Sequence, residues 1–93
     1  MGIEVRDNAG EGRFEIVVDD AVAGFAAYRL RDSSTIFTHT EVDSAFEGQG
    51  LGSKLAAGAL DAVRARGGTV VPRCAFIKSY IERHPDYQDL LAA

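Results

Sequence analysis

Three glycines at alternate positions mark the point where the chain changes its hydrophobic period. They lie in Glu47-Gly48-Gln49-Gly50-Leu51-Gly52-Ser53-Lys54-Leu55. Before them, apolar residues recur with the period of two expected of strands. After them, Leu51, Leu55, Ala59 and Ala62/Val63 fall on one stripe at helical spacing. The segment therefore reads as a strand that passes into a helix through backbone almost free of side chains. Glycine allows a tight turn or a close approach of backbone to another molecule. A helix start adds unpaired N–H groups and the positive end of the helix dipole. Such a site suits an anion, most often phosphate. The alternative is a glycine-rich turn that only caps the helix.

Two common phosphate loops do not fit. The segment does not contain the P-loop pattern G-x-x-x-x-G-K-[ST]. In the dinucleotide pattern G-x-G-x-x-G, Gly48 and Gly50 supply the first part, but Ser53 stands where the third glycine belongs.

The first half of the chain predicts three or four strands joined by short turns, hence an antiparallel meander. These are Ile3 to Arg6, Arg13 to Val18, Val22 to Leu30 and Thr35 to Asp43, separated at Asp7–Gly10, Asp19-Asp20 and Arg31–Ser34. The helix from Leu51 stops at Arg66-Gly67-Gly68. Thr69 to Arg73 is a short strand interrupted by Pro72, so it sits at an edge or is bulged or splayed there. Phe76, Ile77, Tyr80 and Ile81 form a second helical stripe, which His84-Pro85 ends; a last short helix runs from Pro85 to Leu91. The predicted order is β-β-β-β-α-β-α, an α+β fold that is mostly antiparallel, with one parallel βαβ unit from Thr35 to Arg73.

The length of 93 residues predicts one small domain. A net charge of −4 without a basic cluster argues against nucleic acid as a partner. No apolar run approaches the roughly 18 residues of a membrane span. The start Met1-Gly2-Ile3-Glu4-Val5 lacks the pattern of a signal peptide. One cysteine, Cys74, forms no intrachain disulfide, which suits a cytoplasmic location. Cys74, His39 and His84 lack metal-ligand spacing, so no metal is expected.

Taken together, these features resemble the acyl-CoA-dependent GNAT acetyltransferase superfamily. Its loop, [Q/R]-x-x-G-x-[G/A], matches Glu47 to Gly52. Val22-Ala23-Gly24-Phe25-Ala26-Ala27-Tyr28 is similar to a third-strand pattern of the family. Cys74 and Tyr80 take the places of an asparagine ending the fifth strand and a tyrosine six residues later. The chain further resembles a minimal single-domain branch that lacks the family's usual first two helices, which normally shape the acceptor pocket. Glu47 departs from the pattern, because a carboxylate beside a pyrophosphate repels it unless it points to solvent.

The resemblance implies an N-acetyltransferase that uses acetyl-CoA and an amine acceptor. It implies that Gly48, Gln49, Gly50, Leu51, Gly52 and Ser53 hold the pyrophosphate, and that backbone at Val42 meets the thioester and pantetheine. Lys54 either approaches a phosphate or is a solvated surface lysine. Unbroken alternation puts Phe37, His39, Glu41 and Asp43 on one face. Glu41 leads as general base, with His39 beside it, the two not separated from each other by sequence; the other reading is a solvated strand face. Tyr80 is the implied acid for the leaving thiolate, or else a core residue. Cys74 is either a nucleophile that takes the acetyl group itself or a small buried residue. A non-catalytic acyl-CoA-binding module, or a protein-interaction module with a mere helix cap, remains open beside the enzyme.

Overall fold

The computed structural model describes residues 2–92. Five strands form one sheet in the order β1-β2-β3-β4-β5: β1 Ile3–Asn8, β2 Arg13–Val18, β3 Ala21–Arg31, β4 Ser34–Val42 and β5 Thr69–Pro72. The first four are consecutive and antiparallel, and β5 lies parallel to β4 at the sheet edge. Helix α1, Leu51–Ala65, makes the crossover, and α2, Ala75–Arg83, follows β5. A 3₁₀ segment, Pro85–Leu90, ends the chain's regular structure. The compact α+β fold and its single parallel unit agree with the sequence reading.

Local chemistry explains the joins. The β2–β3 hairpin has a two-residue loop, Asp19-Asp20, with φ of 47° and 72°. Positive φ at both central residues is the geometry that follows the twist of paired strands, and aspartate is among the residues that tolerate it. Past α1, Gly67 at φ 74° ends the helix, and the Gly68 amide donates to the Val63 carbonyl.

Both helices pack on one face of the sheet. The α1 stripe buries Leu51, Leu55, Ala56, Ala59, Leu60 and Val63 against all five strands. Gly58 lets α1 approach β1, because a side chain there would meet Val5 at 2.6 Å. Phe14, Tyr28 and Phe37 form the aromatic centre of the same core, with Phe14 and Tyr28 centroids 5.2 Å apart. In α2 the buried residues are Ile77, Tyr80 and Ile81, whereas Phe76 is 36% exposed and leaves the stripe predicted for it.

The opposite sheet face carries no helix. It mixes polar side chains with Phe25 and Ile36, and on it lies Glu15, only 2% exposed. Glu15 is sheltered by the side chains that bind it. Arg13 Nε donates at 2.8 Å, Asn8 Nδ2 at 3.2 Å and Arg6 Nε at 3.4 Å. Burial alone would raise its pKa, but the hydrogen bonds from Arg13 and Asn8 and the charge of Arg13 outweigh this and hold it below the usual carboxylate range.

One irregularity reorganises β4. Ala27 pairs with His39 and Tyr28 with Phe37, so Thr38 is an unpaired bulge residue. The bulge resets the alternation. Thr35 and Phe37 point at the helices and are buried, but beyond Thr38 it is Thr40 and Val42 that take this side. His39 and Glu41 are turned to the bare face and exposed. The shared face expected for Phe37, His39 and Glu41 is therefore corrected, because one extra residue moves Phe37 away from the other two.

Candidate functional site

The glycine segment begins just after β4. Asp43 accepts a hydrogen bond from the Ala45 amide at 2.9 Å and so caps a 3₁₀ turn, Ser44–Phe46. Gly48 at φ 81° and Gly50 at φ 70° then reverse the backbone into α1. A side chain at either glycine would meet no atom within 4 Å, so glycine serves the backbone angle there and the space in front stays open.

Gly50 is the N-cap of α1, and no side chain caps the helix. The first helical backbone bond is from the Lys54 amide to the Gly50 carbonyl, at 3.2 Å. The amides of Leu51, Gly52 and Ser53 precede it, so they have no partner within the helix. A hollow of about 260 Å³ lies here, lined among others by Val42, Phe46, Gly48, Gly50, Ser53 and Phe76. Gly52 has a different reason to be glycine: a Cβ would come within 2.9 Å of Phe76 Cζ. Phe76 thus walls the hollow from α2, a role that the helical stripe in the sequence conceals. Gln49 and Lys54 are exposed. An uncapped helix start, open space and the missing side chains together fit an anionic phosphate group.

Beside the loop the sheet splits. Pairing of β4 with β5 stops at Phe37 and Pro72. The amides of Arg73 and Cys74 both donate to the Phe37 carbonyl, at 3.0 Å each, which pins the apex of the split. From there β5 leads into α2 while β4 runs on to Val42. The Asp43 amide donates to Ala23 of β3 at 2.7 Å. Strand alternation therefore turns the amide and carbonyl of Val42 the other way, toward the split. Free backbone groups along a strand end are a template for an extended, amide-bearing chain.

The side chains around the split fall into two groups. On the bare face, His39 Nε2 and Glu41 Oε1 lie 3.0 Å apart, with 60% and 62% of their side chains exposed. On the helix face, Thr40 Oγ1 and Cys74 Sγ lie 3.1 Å apart, and Cys74 is buried. Thr40 was not singled out in the sequence, although its place beside Val42 in the alternation was the available signal. Tyr80 belongs to neither group. Its ring stacks on His84 with centroids 3.9 Å apart and lies 5.9 Å from Tyr87. Burial, and secondarily the Asp61 charge, push its hydroxyl pKa up. His84 and Tyr87 thus serve packing in this cluster, with the Tyr87 hydroxyl donating to Asp61 at 2.9 Å.

Among the described residues no group of His, Cys, Asp and Glu converges as a metal site would. No helix there is long and apolar enough to cross a membrane.

The site is a five-stranded sheet split beside a glycine-rich, uncapped helix start. The comparisons give the class. The family model of the GCN5-related N-acetyl-transferases matches residues 13–90, and the chain belongs to that family. It is also similar to the solution structure of a GCN5-like candidate N-acetyltransferase from Staphylococcus aureus. That similarity has a TM-score of 0.71 and 27% identity, and spans 97% of this chain and 88% of the other. No match is found among functionally curated proteins.

Proposed function

We propose that this protein moves an acetyl group from acetyl-CoA to an amine. The observation that carries this reading is the position of the split: its apex at Phe37 and Pro72 opens toward the uncapped start of α1. The amides of the segment Gly48–Lys54 are suited to hold the pyrophosphate, and the turned-out backbone of Val42 is suited to hold the pantetheine arm between the strands. When bound, acetyl-CoA supplies the activated acetyl group. Glu47, at the edge of the hollow and exposed, extends into water, and Lys54 offsets its charge near a phosphate.

The acceptor meets the acetyl carbon from the bare face. There the Glu41–His39 pair takes the proton that the attacking amine loses. Tyr80, a phenol that holds its proton at neutral pH, is the donor for the departing thiolate. The reducing cytoplasm is the setting that suits the free thiol of Cys74.

The contact of Thr40 with Cys74 favours a second reading. In it the Cys74 sulfur loses its proton and bonds to the acetyl carbon as the CoA sulfur leaves and is protonated. The amine then displaces Cys74 and restores its thiol.

Calorimetric titration with acetyl-CoA and with CoA tests the common premise. Saturable binding at micromolar to low-millimolar levels supports it and leads to an amine screen. Absence of heat, of thermal shift and of amide perturbation across Gly48–Lys54 reduces the segment to a helix cap.

A further inference from the structure

We propose that the acceptor amine also carries a carboxylate, which Arg29 and Arg73 hold on the bare face of the sheet. The inference rests on the acetyl-transfer reading above. The helix side of the split is filled by Phe37, Thr40 and Cys74, so a second substrate reaches it from the other side. On that side, a hollow of about 360 Å³ is lined by Arg29, Ile36, Thr38 and Arg73. It adjoins the dyad, because Thr38 is the bulge residue immediately before His39.

The arginines of this hollow differ from most others. Arg6 and Arg13 are engaged by Glu15, Arg64 by Asp89 and Arg66 by Asp7. Among the described residues, Arg29, Arg31 and Arg73 have no ion pair and no side-chain hydrogen bond, and of these Arg29 and Arg73 line the hollow. Two unpaired guanidiniums, one from β3 and one from the residue after β5, thus line one hollow in a chain with a net charge of −4. An ordinary solvated arginine can stand anywhere; Arg73 is rooted at the apex of the split, where its amide is held by Phe37. Arg29 lies in register beside this point, opposite Ile36.

The chemistry selects the ligand. A guanidinium presents paired donors in a planar fork that matches a carboxylate. Ile36 offers an apolar surface for methylenes, while the Thr38 hydroxyl is turned to the Ala27 carbonyl at 3.4 Å. Ile36, opposite Arg29, lies three residues before His39, or roughly 10 Å along the strand. The substrate is therefore an ω-amino carboxylate of several methylenes, in the manner of a free amino acid with a side-chain amine.

The test is amide-resolved NMR titration of the full chain with 6-aminohexanoate, hexylamine and inorganic phosphate. The expected result is saturable perturbation of Ile36, Thr38 and Arg73 by 6-aminohexanoate, at least tenfold weaker binding of hexylamine, and at least tenfold loss of 6-aminohexanoate affinity in R29A/R73A. Equal binding of hexylamine, an unchanged affinity in R29A/R73A, or no response to 6-aminohexanoate overturns the proposal. Phosphate binding as tight as that of the carboxylate overturns the assignment of ligand class. None of these readouts needs turnover. A positive result without acetyl-CoA binding in the calorimeter would remove the transferase reading and leave a carboxylate site.

Discussion

The Thr40 hydroxyl and the Cys74 thiol meet at 3.1 Å across the split, a contact that ties β4 to the N-cap of α2 after the pairing of β4 with β5 has ended. It fixes the sulfur on the helix side of β4, while Glu41, one residue further, faces the opposite side. Direct and covalent transfer therefore use different faces of the same strand, and substitution separates them. For direct transfer, Glu41→Gln lowers kcat/KM about 100-fold, the low end of a general base's contribution, and leaves acetyl-CoA affinity unchanged. If turnover instead survives in Glu41→Gln and disappears in Cys74→Ala, with an acetyl adduct on Cys74 seen by intact mass spectrometry of the wild-type chain, the covalent path is the one in use.

Gly50 tests the loop. At φ 70° a side chain adds backbone strain on the order of 1 kcal/mol, although nothing crowds the position. Gly50→Ala is expected to lower stability by about that amount in urea titration. Gly50→Asp also brings a negative charge to the start of α1, and acetyl-CoA affinity is expected to fall by more than tenfold. An unchanged dissociation constant would sink the phosphate assignment.

Glu15 makes stability depend on acid. Its folded pKa lies below the ordinary 4.5, so the carboxylate contributes stability above that pH, and the contribution disappears as pH falls through the folded value. Its shelter is made of arginine arms on an open face, so solvent screening keeps the effect near 1 kcal/mol. Glu15→Gln is expected to cost about that much at pH 7 and little at pH 2–3, in denaturant melts at both pH values. Equal cost at both would show that the hydrogen-bond geometry, and not the charge, matters.

The alkaline limb belongs to the tyrosines. Burial, then the bond to Asp7, pushes Tyr28 up to about 12; burial, then the bond to Asp61, does the same for Tyr87. The unfolded chain releases these protons near 10, so the folded chain binds more protons between about 10 and 12 and stability falls as pH rises through this range. Absorbance titration of phenolate should show little ionisation at pH 10 in the folded state and an abrupt rise on unfolding. Tyr28→Phe is expected to make the alkaline loss shallower.

Much of this was legible in the sequence, because the first four strands are neighbours in both sequence and space. Alternation in Phe14, Ile16 and Val18 and the stripe Leu51, Leu55, Ala59 report burial directly. Proline 72 signalled an edge and a split, and both are present. The bulge at Thr38 was not legible. It arises from pairing with β3, and nothing in Ile36-Phe37-Thr38-His39 marks it; yet it decides which face His39 and Glu41 occupy. Phe76 misled for a related reason. Helical spacing gives its angle on α2, but its exposure depends on how closely Gly52 lets α1 approach.

The order of the strands also has a consequence for motion. Pairing among β1 to β4 closes only short hairpin loops, whereas β5 reaches β4 after the whole of α1 has intervened. Closing that longer loop costs more chain entropy, and β5 offers only four residues of pairing in return. The seam between β4 and β5 is thus the expected last step of assembly and the first place to breathe. A ligand that bridges this seam and the start of α1 acts as a clasp on the weakest joint. Hydrogen exchange at Val71 and Arg73, whose amides face β4, should slow on its binding, long before any change is felt in β1.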